Sequence, residues 1–336
     1  MKAVYQSKYG SPGDLEIREV DMPDVGEDEV RVQVQAASLH PDVWHMVTGR
    51  PLALRLMGGG LFGPKHPIPG SDMAGVVESV GAKVTRFKPG DEVLGESTLE
   101  HQWTNGGAFA EYVSVREDWL APKPGNVSFE QAASVPTSGF IALTNLRDNT
   151  RFQGGRKVLV NGAGGGVGSL ALQIVKAHGA HVTAVDSGDK LDMLRSLGAD
   201  ELLDYRETDF TRTGARYDLI FDVIGNHKFS RCRRALLPDG GYVLIGHEGY
   251  GAAGSRLFGI MPYFFKLMVL SRFVKQLRGP RTALPTRAQA MAVLGELLAK
   301  GKIRPVIDSS YPFSEVHRAF RRLIDENPLG KVILVP

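Results

Sequence analysis

The stretch from Lys157 to Lys176 constrains the fold of this chain more than any other. Val158-Leu-Val160 is a short apolar run, Gly162-Ala-Gly-Gly-Gly-Val-Gly168 follows it, and Leu170, Leu172, Ile174 and Val175 then recur at helical spacing. Such an order predicts a strand covered on both faces, a glycine turn and a helix. Glycines allow the turn to be tight, and let a diphosphate approach the backbone N–H groups of Gly164, Gly165, Gly166 and Val167. They also let helix and strand pack closely, while the helix N-terminus favours negative charge.

A glycine cluster alone is common punctuation. Here His181-Val-Thr-Ala-Val185 follows as a second strand and ends at Asp186. An acidic residue about 20 positions beyond the loop is where a dinucleotide fold meets the adenosine ribose. The alternation continues through a helix at Leu191 to Leu197 and short strands at Glu201 to Leu203, Tyr217 to Ile224 and Gly241 to Ile245. Strands ending at Gly225 and Gly246 and alternating with helices predict a doubly wound parallel sheet. Ile224, Gly225, Gly246 and His247 then stand at strand ends on the side expected to face a bound dinucleotide. His247 is either a hydrogen-bond donor there or an exposed loop residue.

The sequence before this unit has another rhythm. Glu29-Val-Arg-Val-Gln-Val-Gln35 alternates strictly, and Met73 to Val80, Asp91 to Leu94 and Ala108 to Val115 follow, separated by turns such as Lys88-Pro-Gly90. This predicts an irregular, mostly antiparallel barrel or sandwich. A boundary is expected near Ala121-Pro-Lys-Pro-Gly125, after which Ser128-Phe-Glu-Gln131 has the form of a capping box. The helix from Arg287 to Lys300 and the strand from Lys331 to Val335 are expected to return to the first domain. The expected division is thus 1–125, 126–285 and 286–336, with the ligand cleft between the two units.

The 336 residues suffice for two cores. A net charge of +3 with the signs interspersed gives no nucleic-acid signal. The first residues lack the apolar core of a signal peptide, and no apolar run reaches membrane-spanning length. A cytoplasmic protein is expected. The single cysteine, Cys232, excludes an intrachain disulfide. Arginines flank it, so it is either a reactive thiol or, as its helical setting favours, a packing one.

Taken together, Pro69-Gly-Ser-Asp-Met-Ala-Gly75, Lys88-Pro-Gly-Asp-Glu-Val93, Gly107-Ala-Phe-Ala-Glu-Tyr112, the loop Asn161 to Gly168, Ser196-Leu-Gly-Ala-Asp200 with Asp204-Tyr205, and Gly330-Lys331-Val332 resemble the medium-chain dehydrogenase/reductase superfamily. Within it they resemble the zinc-free quinone oxidoreductase-like branch, over nearly the whole chain. The resemblance implies a GroES-like domain joined to a Rossmann domain, α/β overall, and a homodimer. The zinc alcohol dehydrogenases of that superfamily carry a Cys ligand where this chain reads Ser38-Leu-His-Pro-Asp42, and Gly-His-Glu where it reads Gly70-Ser-Asp72. Both side chains are missing, and so is the four-cysteine lobe. His40, Asp42 and His45 are imaginable metal ligands, but the resemblance points to a site without zinc. Hydride acceptors that spread the incoming charge, quinones and α,β-unsaturated carbonyls, are then favoured.

The resemblance also implies roles for single residues. His40 stands where the branch commonly has Asn, close to nicotinamide and substrate; it either donates to the acceptor or only packs. Trp44 walls the pocket or belongs to the core. Thr137 matches a position beside the nicotinamide phosphate, and Lys331 belongs to the same cofactor set. Ser187, Lys190 and Tyr205 resemble the group that holds the 2′-phosphate of NADPH, whereas Asp186 suits NADH. NADPH is favoured, with Lys190 on a solvated helix face as the alternative. An NAD(H)-linked alcohol or aldehyde oxidoreductase and a nucleotide-binding regulatory protein with little turnover remain the rival functions. The segment from Gly254 to Arg272, apolar and aromatic, with Lys266, Arg272, Lys275, Arg278 and Arg281 interrupting or flanking it, reads as a lid and dimer contact before it reads as a membrane-surface element.

Overall fold

Val30, Val32 and Val34 are buried while Arg31, Gln33 and Gln35 are more open, so the alternating run forms a strand with one face on a core. The structure, a computed structural model, describes residues 1–97, 104–147, 151–247, 255–279 and 282–336. Gly254 and Arg281, expected at the margins of the apolar segment, lie outside the described residues.

The N-terminal half contains β1 (Lys2–Tyr5), β2 (Glu16–Glu19), β3 (Glu29–Ser38), helix α1 (Pro41–Thr48), β4 (Asp72–Val80), β5 (Glu92–Glu96), β6 (Tyr112–Arg116) and β7 (Leu120–Pro122). Helices α2 (Phe129–Ala133) and α3 (Pro136–Asn145) lead to β8 (Lys157–Asn161), α4 (Gly166–Ala177), β9 (His181–Asp186), α5 (Leu191–Ser196), β10 (Glu201–Asp204), β11 (Tyr217–Asp222), α6 (Phe229–Cys232) and β12 (Leu236–Leu244). Then come α7 (Met261–Leu270), α8 (Arg287–Ala299), β13 (Ile307–Pro312), α9 (Val316–Asp325) and β14 (Lys331–Val335).

Five strands form one parallel sheet in the order β10-β9-β8-β11-β12. On β8, Val158 and Val160 pack into one hydrophobic cluster and Leu159 into another on the opposite face, which is why the run is apolar throughout. The second sheet runs β13-β14-β3-β4-β5-β7, with β6 also on β3, and is antiparallel except where β13 joins β14. The fold is therefore α/β, a GroES-like antiparallel sheet beside a Rossmann-like parallel one. Gly330 closes the gap between them: its N–H donates to Gly164 O at 2.8 Å, and Gly165 and Gly330 form a parallel bridge.

Several boundaries differ from expectation for identifiable reasons. Ala108 to Ala110 is not strand, because Gly107 turns at φ +87° and the N–H groups of Ala108 and Phe109 bond Gly70 and Pro69. Asp91 leaves its strand to accept from Lys88 N at 3.0 Å, closing the Lys-Pro-Gly turn. Ser128 and Gln131 do form the reciprocal capping box at the start of α2. Cys232 is fully buried beside Asp222, and burial pushes its thiol up to about 12, so it packs rather than reacts.

Candidate active site

The glycine turn takes its shape from two contacts. Gly162 has φ +79°, open to glycine, and a Cβ there would sit 2.6 Å from Ile224. At Gly168 a Cβ would collide with the carbonyl oxygen of Gly162, so the first turn of α4 lies directly on the end of β8. Helix α4 starts at N-cap Gly165 with no side-chain cap, and Gly165, Gly166 and Val167 face a cavity of about 830 Å³. A buried helix end of this kind favours an anion.

That cavity runs between the two sheets. It brings together His40, Thr137, Gly165, Gly166, Val167, Asp186, Lys190, Tyr205, Ile224, Gly246, His247 and Lys331 of the expected set. Trp44, Gly164, Ser187 and Gly225 are not on its wall. Trp44 packs against the core of the antiparallel sheet, with its ring edge-on to His45 at 5.1 Å.

At one end Asp186 is engaged within the protein. Its Oδ2 accepts from Gly164 N at 2.6 Å and its Oδ1 from Ser187 N at 2.9 Å, and Lys190 Nζ lies 3.5 Å away. Lys190 is 3% exposed, so it does not sit on a solvated helix face. Its ammonium donates to Asn327 Oδ1 at 2.7 Å, and Asn327 Nδ2 donates to Ser187 Oγ at 3.1 Å. Asn327 escaped the sequence reading; its φ of +48° and the following proline are the turn signal that marks it. Tyr205 lies half-exposed at this end, with the Arg206 guanidinium 5.7 Å from its ring centre.

Beneath the middle of the cavity lies a charge pair unseen in the sequence. Asp72, fully buried, accepts from Thr137 N at 3.0 Å, Thr137 Oγ1 at 2.5 Å, Ser38 Oγ at 3.1 Å and Lys331 Nζ at 3.4 Å. Burial draws the Lys331 ammonium below the ordinary lysine range, and Asp72 opposes that shift. The third cation on the wall, Arg287, pairs with Glu96. Lys190, Lys331 and Arg287 each face a carboxylate, so their charges are largely compensated within the protein.

The other end carries three imidazoles. His40 caps α1, its Nδ1 lying 3.3 Å from Asp42 N and 3.4 Å from Asp42 Oδ2, so both contacts of that nitrogen are with Asp42. His45 Nδ1 is 2.7 Å from Arg50 O, a carbonyl that only accepts, so this nitrogen carries the proton. Burial lowers the pKa of His45 and holds it neutral. Its ring centre lies 5.8 Å from that of His247, which reaches in from beyond β12. Behind them Asp222 accepts from Asn161 Nδ2, Gly225 N and Tyr242 OH, each at 2.8 Å, and so fixes the strand ends around Ile224.

A nicotinamide dinucleotide fits these residues. Ser138 Oγ and Thr144 Oγ1 are buried atoms on residues of the cavity wall without a hydrogen-bond partner in the protein, and an uncapped helix end lies beside Ser138. A ligand with phosphates and ribose hydroxyls satisfies both kinds of group. Among the described residues no group of three or more His, Cys, Asp or Glu is placed to hold a metal ion, His40, Asp42 and His45 included.

Comparisons with known proteins agree with the geometry. Residues 26–125 match the alcohol dehydrogenase GroES-like domain and residues 197–334 the zinc-binding dehydrogenase family. The NADPH-dependent alkenal/one oxidoreductase, chloroplastic, of Arabidopsis thaliana is 34% identical over 100% of this chain and 80% of its own length. The chloroplastic quinone-oxidoreductase homolog of Spinacia oleracea is 32% identical over 100% of this chain and 98% of its own. Among solved structures, the quinone oxidoreductase from Coxiella burnetii superposes with a TM-score of 0.82 at 25% identity, covering 100% of this chain and 99% of that one. The expected cytoplasmic location is corrected by this set, whose full-length plant relatives are chloroplastic. No helix among the described residues is long and apolar enough to cross a membrane.

Proposed function

This chain belongs to the medium-chain dehydrogenase/reductase superfamily, in its quinone oxidoreductase-like branch, and is an NAD(P)H-dependent oxidoreductase; on that premise we propose that it uses NADPH to reduce a quinone or an α,β-unsaturated carbonyl. The observation that carries this reading is one cavity with an uncapped helix end and orphaned hydroxyls toward one side and three imidazoles at the other. We assign residues 126–285 to the cofactor-binding unit and 1–125 with 286–336 to the catalytic unit.

When bound, the reduced nicotinamide supplies the hydride. The backbone at Gly165 to Val167 would receive the diphosphate, with Thr137, Ser138 and Lys331 beside it. Ile224 and Gly246 would border the ring. His40 and His247, both on the cavity wall, are the side chains that would donate a hydrogen bond to the acceptor oxygen. Where alcohol dehydrogenases place zinc ligands this chain has Ser38 and Ser71, and Asp72 is committed to Lys331. A saturated carbonyl would then lack a strong polarising group, whereas a quinone or enone delocalises the charge itself. A panel of quinone, enal and saturated aldehyde, followed by loss of NADPH absorbance, tests this. Turnover is expected with a conjugated acceptor and at least about tenfold less kcat/KM with the saturated aldehyde. Equal turnover of the saturated aldehyde, or cofactor binding with no turnover of any acceptor, overturns it.

The preference for NADPH rests on Asp186 being neutralised by Lys190 and held by Gly164 N–H, which leaves the pair close to neutral toward a 2′-phosphate. Lys190 and Tyr205 would border that phosphate, with Ser187 behind them bonded to Asn327. Lys190→Met removes one charge-assisted hydrogen bond, so the NADPH Kd should rise about 10- to 100-fold. The NADH Kd should move less than about threefold. Titration by quenching of protein fluorescence reads both, and equal losses would remove Lys190 from phosphate recognition.

A further inference from the structure

Residues 49–66 and 255–279 together contain eight Lys or Arg and no Asp or Glu, in a chain where the two signs are otherwise nearly balanced. The fold joins these distant segments. Leu52 N donates to Arg256 O at 3.2 Å and Ala53 N to Leu257 O at 2.9 Å, and Gly259 packs on Pro51. They form one rim of the active-site cavity, whose wall includes Pro51, Leu54, Ile260, Met261 and Phe264.

The outer side of that rim is apolar. Of fifteen large hydrophobic side chains exposed on the described residues, ten belong to these two segments. Leu56, Met57, Leu61 and Phe62 come from the first, with Phe62 93% exposed. On α7 the exposed positions Phe265, Met268 and Val269 share the outward side, with exposed Arg272 just beyond the helix end, while Leu267 is buried against the parallel sheet's core and Phe264 faces the cavity. Phe273, 79% exposed, continues the outer face, and Leu257 and Phe258 adjoin it. A lid explains the inward face of α7 and leaves the outward one without purpose.

We propose that this rim docks on an anionic lipid surface, with the aromatic and aliphatic side chains in the interface and the cations among the headgroups. Lys275 is tied to Asp239 and the Arg55 guanidinium lies 4.3 Å from the centre of the Tyr9 ring, whereas Arg50, Arg256, Lys266, Arg272 and Arg278 are exposed. Charge decides between the candidate occupants. A two-fold contact with a second copy would set this face against itself, cation on cation with no carboxylate from either segment to answer. Anionic headgroups complement it, and each cation near such a surface is worth about 1 kcal/mol, a factor of about five in binding. Exposed aromatics flanked by Lys and Arg have the composition of an interfacial element. The inference goes beyond the reaction, because docking requires no turnover, and it gives the cavity a border on the phase in which apolar acceptors dissolve.

Sedimentation with vesicles of phosphatidylcholine alone and with added phosphatidylglycerol tests it. Binding is expected only with phosphatidylglycerol, and weakened at least about tenfold by high salt. Lys266→Glu with Arg272→Glu should weaken it by more than about 25-fold, from the same factor per cation. Phe62→Ser with Phe265→Ser should weaken it by at least about tenfold while the thermal unfolding midpoint and the oligomeric state stay unchanged. No sedimentation with anionic vesicles overturns the proposal. So does a Phe62→Ser, Phe265→Ser variant that turns a dimer into a monomer, since that result assigns the face to a second copy. Capture by an acidic polypeptide with no vesicle binding overturns it equally.

Discussion

Asp72→Ala should cost about 3–5 kcal/mol of stability, since removing one member of a buried ion pair strands the other. Lys331 is 5% exposed at the edge of the cavity, so the ammonium stripped of Asp72 stays largely desolvated. The same substitution removes the acceptor of Thr137 N, Thr137 Oγ1 and Ser38 Oγ. Urea unfolding measures the loss, and Asp72→Asn, which keeps an acceptor but not the charge, should fall between. The decisive variant is Asp72→Ala combined with Lys331→Met. An apolar side chain in place of the stranded cation should recover more than half of the loss. A loss below about 1 kcal/mol for the single variant, or no recovery in the double, would contradict this account.

The pair also ties chemistry to architecture. Asp72 belongs to β4 of the antiparallel sheet, Thr137 to the first turn of α3, and Lys331 to β14, immediately after the bridge between Gly330 and the glycine turn. One carboxylate therefore fixes three elements around the middle of the cavity. The alignment of the α4 N-terminus with the imidazoles of His40 and His247 depends on that joint, and orientation of reacting groups is where such a site gains rate.

What could be read from the sequence follows the range of the forces involved. The strand, turn and helix from Lys157 to Ala177 are specified by near neighbours, apolar spacing and glycine sterics, and they stand as expected. So does the capping box at Ser128. The Asp72 and Lys331 pair spans 259 positions, and no local pattern announces that two charges will meet in a core. Asp186 was legible as a strand-end acid but not in its partners, because Lys190 and Gly164 reach it only once α5 and the turn are folded. His40 was legible as a site residue, whereas the partners of His40 and His45 are Asp42 and Arg50 O, groups whose positions follow from the two ends of α1. The strand expected at Ala108 failed because Pro69 and Gly70, remote in sequence, take its hydrogen bonds.

Gly168→Ala and Gly165→Ala should separate the two tasks of the glycine turn. At Gly168 the new methyl meets the backbone oxygen of Gly162, which no rotamer change relieves, so α4 must lift from β8. Overpacking of this kind costs about 1–3 kcal/mol, and cofactor affinity should fall with it, since the N–H groups move with the helix. At Gly165 the backbone is ordinary for any residue, φ −85° and ψ 176°, and the only neighbour of a Cβ is Gly162 O at 3.8 Å. That methyl projects into the space where the diphosphate approaches the turn. Loss of stability should stay below about 1 kcal/mol, the range of N-cap changes, while the Kd for NADPH rises at least about tenfold. Urea unfolding and fluorescence titration on both variants give four numbers. If Gly165→Ala binds NADPH like the parent, the diphosphate does not use this turn; if Gly168→Ala unfolds like the parent, helix and strand are not in the contact described.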